Sequence, residues 1–204
     1  MAGAVIMGAM ITSIPGFSGF SARLVAAAGL GLALALVPAP ASAQAYMDTE
    51  ALEYFFEVLK AAPDPLSAEM VTAEIWYVWT HPDDPELAAA MIQVLAVRAG
   101  GDYHHCIELL DAMVVRWPDY AEGWNQRATI HYILHNFEAS LADVEETLAR
   151  EPRHFGALSG AAAIYLQLDN RPAALGMVLR GLQIHPFLNE RRYFPELLEP
   201  EVAI

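Results

Sequence analysis

From Gln44 onward the apolar residues recur at helical spacing, and no stretch alternates as a half-buried strand does. The pattern predicts helices of about 12 to 15 residues separated by short turns. Start signals support it. Asp64-Pro65 and Asp84-Pro85 each place a side-chain acceptor before a proline at the first helical position. Asp119 followed by Glu122 reads as a capping box. Two stretches, Leu52 to Ala62 and Pro65 to Thr80, form a hairpin-like pair ahead of the rest.

The later helices repeat. Pro118, Pro152 and Pro186 are evenly spaced at the 34-residue period of helix–turn–helix repeats. Aligned on them, residues 87–120, 121–154 and 155–188 form three windows without a gap. Ile107, Leu141 and Leu175 make one apolar column. Leu110, Val144 and Val178 make a second, and Val114, Leu148 and Leu182 a third. Cys106, Ser140 and Ala174 share a small position, so Cys106 reads as a packing residue. Tyr103 and Phe137 share an aromatic position that becomes Arg171 in the third window.

These columns resemble the tetratricopeptide-repeat (TPR) family. The second window carries the likeness best, through Trp124, Ala128, Tyr132, Phe137, Leu141 and Pro152. The third matches at Leu158, Ala162, Tyr165, Ala174 and Pro186. The first is weaker, with Ala90 in place of the tryptophan and Val94 at the small position. The resemblance implies an all-α, right-handed α-solenoid of about three helix pairs. Residues 44–86 then read as a degenerate repeat acting as an N-terminal cap, and 189–204 as a capping helix and tail, because a stacked repeat leaves an apolar face at each end.

In this family the first helices of the pairs line a concave face that receives a peptide or protein segment. By resemblance the groove positions are Met91, Leu95 and Arg98, then Glu122, Asn125, Thr129 and Tyr132, then Ser159, Ala163 and Gln167. Asn125 and Thr129 lie four apart and can face one ligand. The lysine, asparagine and arginine clamp of some members is replaced here by Met91, Leu95, Gly156 and Gly160. The implied ligand is therefore less acidic and more apolar than a carboxylate tail. A second candidate docking patch is the aromatic cluster Tyr54, Trp76, Tyr77 and Trp79, which equally fits the core of its own helix pair.

Composition adds a compartment and removes some chemistries. Leu24 to Val37 is apolar but too short to span a bilayer comfortably, and Ala41-Ser42-Ala43 follows it. That predicts a signal peptide over 1–43 and an exported, bacterial periplasmic protein. All 25 acidic residues but only ten of the 11 basic ones follow Ala43, which disfavours nucleic acid and anionic lipid as partners. One cysteine excludes an internal disulfide. His131 and His135 stand at the spacing that can present two imidazoles to zinc, but no third ligand is identifiable. His154 and His185 each lie beside a turn proline, which explains them without chemistry. No phosphate loop, nucleophile elbow or paired-carboxylate site is visible. The sequence thus predicts a non-catalytic scaffold without cofactor or metal. A permanent structural subunit of an envelope-assembly or cell-division complex is the alternative, and a periplasmic enzyme the rival from another class.

Overall fold

The computed structural model describes residues 48–198. The predicted signal peptide and the end of the tail lie outside them. Among the described residues eight α-helices follow one another: α1 (Thr49–Lys60), α2 (Pro65–Thr80), α3 (Pro85–Ala99), α4 (Tyr103–Arg116), α5 (Ala121–Ile133), α6 (Phe137–Arg150), α7 (Phe155–Gln167) and α8 (Arg171–Leu182). There is no strand among the described residues, so the fold is all-α. The helices begin where the caps dictate. The Asp48, Asp64 and Asp84 carboxylates accept from the backbone N–H groups of Ala51, Ser67 and Leu87 respectively. The expected capping box at Asp119 is not used. Tyr120 is the cap residue of α5, without a side-chain bond, and Glu122 turns inward instead.

Helices α3/α4, α5/α6 and α7/α8 form three like hairpins, each matching one sequence window, except that α3 starts two residues ahead of its window, at Pro85. Their backbones keep the same register. Gly101, His135 and Asp169 occupy the turn between the two helices of each pair, and all three have positive φ, at 80°, 59° and 60°. The next residues, Asp102, Asn136 and Asn170, are the N-caps of α4, α6 and α8. Side chains repeat as well. Ser140 Oγ donates to the Ala128 carbonyl at 2.7 Å, and Cys106 Sγ stands 3.9 Å from the equivalent Val94 carbonyl. Val94, Ala128 and Ala162 are all buried, so paired helices approach closely. A charged seam ties α5 to its neighbours. Arg127 bonds Asp143 on α6 at 2.8 and 2.9 Å and Asp111 on α4 at 2.8 Å. Arg127 and Arg150 also lie over the Trp124 ring, at 4.9 and 4.7 Å.

The first helix pair buries its apolar face mainly outside the core of the first repeat. Leu52, Phe56, Leu59, Ala68, Ile75 and Trp79 form one core with Phe155 of α7 and Leu188, beyond α8. The α1–α2 hairpin therefore packs its apolar face on the third repeat. The first repeat's core, built on Leu87, Met91, Leu110 and Met113, includes no residue of that hairpin. At the C-terminus two short 3-10 helices, Asn189–Tyr193 and Pro195–Leu197, replace the single capping helix expected. They still cover the last repeat: Phe194 is fully buried against Ala162, Ala174 and Val178. Arg171 fixes this segment by bonding Glu196 at 3.1 Å and lying 4.5 Å over the Phe194 ring.

Candidate functional site

The first helices of the repeats, α3, α5 and α7, carry the predicted groove positions, and those positions divide along the helix axis. Met91, Glu122, Asn125 and Ser159, toward the N-terminal ends, are between 0% and 8% exposed, and Thr129, further along α5 at the level of Leu95 and Ala163, is buried as well. Leu95, Arg98, Tyr132 and Ala163, toward the C-terminal ends, are half-buried, and Gln167 is exposed.

The inner positions serve the fold. Met91 packs in the core of the first repeat. Glu122 is the hub of a buried polar cluster. One carboxylate oxygen meets His154 Nε2 at 2.9 Å and Asn125 Nδ2 at 3.0 Å, and the other accepts from Gln126. Gln126 in turn accepts from Arg98 at 2.6 Å. His154 Nδ1 accepts the Ala157 N–H at 3.1 Å, which leaves the ring hydrogen on Nε2 aimed at Glu122. Thr129 Oγ1 donates to the Asn125 carbonyl, one turn back. A buried carboxylate is tolerated because each oxygen has a donor.

The hairpin roofs this cluster. The Trp79 ring stacks on His154 with centroids 3.9 Å apart and planes 7° from parallel. Tyr120 donates its hydroxyl to the Trp79 carbonyl, and burial pushes the pKa of that phenol well up. Trp76 stands edge-on to Phe155 at 5.6 Å, and a Cβ on Gly156 would sit 2.5 Å from its ring. Further along, His185 Nδ1 accepts from the Phe187 N–H, and its Nε2 meets Thr72 Oγ1 at 3.1 Å. Thr72 gives its own hydrogen to the Ala68 carbonyl, so His185 is the donor in that bond. Burial lowers the His185 pKa from 6.5 to about 4. In the C-terminal segment Glu190 is buried, and that burial raises its carboxyl pKa.

The second predicted patch splits. Trp76 and Trp79 belong to the core between the hairpin and the third repeat, whereas Tyr54 and Tyr77 are 65% and 60% exposed. His131 and His135 do not form the helical pair their spacing suggested. Helix α5 ends at Ile133, and His135 lies in the left-handed turn. No cluster of three metal-ligating side chains occurs among the described residues. Cys106 is buried, and that burial pushes its thiol pKa up, away from thiolate chemistry. No helix among the described residues is long and apolar enough to cross a membrane.

Three hairpins in 34-residue phase can be set beside known proteins. No family model matches the chain. A TPR repeat-containing protein of Rhizobium etli is 35% identical over 139 residues, 67% of each chain. The chain belongs to the tetratricopeptide-repeat family. In this TPR protein, sequence reasoning missed His154 and His185, which couple the hairpin to the third repeat, and Gln126, which links Glu122 on α5 to Arg98 on α3. Each looked like an ordinary turn or helix residue. The available signal was an aromatic-rich helix pair out of phase with the repeats, which had to bury its rings somewhere.

Proposed function

We propose that this TPR chain is a non-catalytic interaction scaffold that holds a peptide or protein segment against the open half of its concave face. The observation that carries the reading is the exposure gradient along α3, α5 and α7. The inner half is filled by the chain's own polar cluster and Trp79. The outer half presents Leu95, Arg98, Tyr132 and Gln167. Leu95 supplies an apolar contact, Tyr132 a ring with a polar tip, and Arg98 guanidinium donors beyond the one that holds Gln126. Such a strip suits a short segment with one or two apolar anchors and free carbonyls. Export to a bacterial periplasm is part of the proposal. It is supported by the Leu24 to Val37 stretch and the small residues Ala41-Ser42-Ala43.

Site-specific photocrosslinking in cells tests the surface. A crosslinker at Tyr132 and another at Gln167 should capture the same protein. Purified, that protein should bind the Tyr132→Ala variant about tenfold more weakly, with the melting temperature of the variant unchanged. Capture at neither position, in a stably expressed chain, overturns the proposal.

A further inference from the structure

The α1–α2 hairpin has an outer side that the fold leaves unused. Between the two helices runs an open cleft of about 350 Å³, floored by Val58, Ala61, Ala62 and Val71 and flanked by Tyr54 and Glu57. On α2 beside it, Leu66, Met70 and Tyr77 fall on one helix face and are each at least 60% exposed. A monomer seldom leaves so many large apolar side chains together in water without a partner.

The charge of this region is as unbalanced as its polarity. Residues 48–86 contain ten carboxylates and a single lysine, Lys60. Glu53 pairs with Arg153 and Glu86 with Arg116, while Asp48, Asp64 and Asp84 cap helices. Glu50, Glu57, Glu69 and Glu74 are exposed and meet no cation among the described residues. The arginines of the repeats cannot supply one. Arg127, Arg150 and Arg171, for example, are held by carboxylates and aromatic rings of their own surroundings.

We propose that this cleft docks a basic amphipathic helix of a partner protein, whose apolar face fills the cleft while its lysines or arginines meet the surrounding glutamates. The cleft offers no sheet edge to which an extended strand could add. Both walls are helices whose N–H and C=O groups are already bonded to each other, so a guest that satisfies its own backbone, a helix, fits it best. Charge excludes a second copy of this acidic chain, as well as nucleic acid and anionic membrane. The surface is separate from the concave face and does not depend on the groove proposal.

A synthetic amphipathic helix with leucine on one face and lysine on the other, titrated calorimetrically onto the purified full chain, tests this. One peptide should bind per chain, and affinity should fall at least tenfold between about 50 and 300 mM salt. Tyr54→Ala should weaken binding about tenfold without lowering the melting temperature, because Tyr54 is a surface anchor. Tyr132→Ala should leave binding unchanged, which separates this site from the groove. Several peptides per chain, equal affinity for a twin with serine in place of leucine, or indifference to Tyr54→Ala would overturn the proposal. So would a concentration-dependent dimer that excludes the peptide, since it would assign the face to a second copy.

Discussion

The α1–α2 hairpin and the three repeats solve the same problem, burying one face of a helix pair, by different means. In the repeats small and apolar residues recur at equal intervals, and each pair rests on a neighbour of its own kind. Their arginines and carboxylates pair internally, as Arg127 does with Asp111 and Asp143. The hairpin has no equivalent partner. It buries Trp76 and Trp79 against Phe155 and His154, at the entry to α7, and keeps its own surface acidic. A repeat array draws its stability from nearest-neighbour contacts that can be summed. An appendage draws its own from a few large rings and two hydrogen-bonded histidines. The hairpin should therefore be the more easily broken unit, through fewer residues.

The largest effect should come from Trp79. It is fully buried, stacked on His154 and shared between hairpin and third repeat. Trp79→Ala removes the roof of the polar cluster and should cost about 3–5 kcal/mol. Urea unfolding followed by circular dichroism gives the loss. Limited proteolysis in the Ala61–Asp64 turn should appear first, because the hairpin detaches before the repeats melt. A cost below about 1 kcal/mol would mean that the hairpin is not anchored through this ring.

Acid should loosen the same junction. His185 titrates near 6.5 when unfolded and at about 4 when folded. Between these values the unfolded chain binds the extra proton, so stability falls as pH drops through that window. The loss at pH 5 relative to pH 8 should be on the order of 2 kcal/mol. Glu190 acts in the opposite sense, because its raised pKa makes the folded state the better proton binder as pH falls. The comparison that isolates His185 is therefore the pH slope of the wild-type chain against that of His185→Gln. The variant starts less stable but should lose distinctly less on acidification. Equal slopes would remove His185 from the account.

Much of the repeat half was legible in the sequence. Pro118, Pro152 and Pro186 fixed the phase, and Asp64-Pro65 and Asp84-Pro85 marked the starts of α2 and α3. Those are local signals, written in neighbouring residues. The docking of the hairpin was not legible, because Trp79 meets His154 across 75 positions of sequence with no periodic pattern to announce it. The candidate groove positions were not all readable as such for the same reason. Family spacing assigns Glu122 and Asn125 to a groove, but their burial among His154, Gln126 and the roof of Trp79 is a long-range fact. Asp119 misled because a capping box needs only the right letters, whereas Glu122 had a stronger partner inside.

The finest test of the comparison lies in the turns that only the repeats share. Gly101, His135 and Asp169 adopt the same left-handed backbone, which is free for glycine, tolerable for aspartate and unfavourable for most other residues by about 1–2 kcal/mol. Gly101→Ala should thus destabilise by about 1 kcal/mol or somewhat more. His135→Gly should stabilise by less than about 1 kcal/mol. It relieves the turn but loses the edge-on contact of His135 with Phe137 at 5.6 Å, and it frees the unfolded chain. Asp169→Gly should be close to neutral, since the aspartate already tolerates this conformation. Chemical denaturation of the three variants gives the order directly. If the repeats are equivalent units, the effect follows the residue replaced and not the repeat it sits in. A His135→Gly variant that destabilises would show instead that the second turn is held by its imidazole, and that the three hairpins are alike in backbone only.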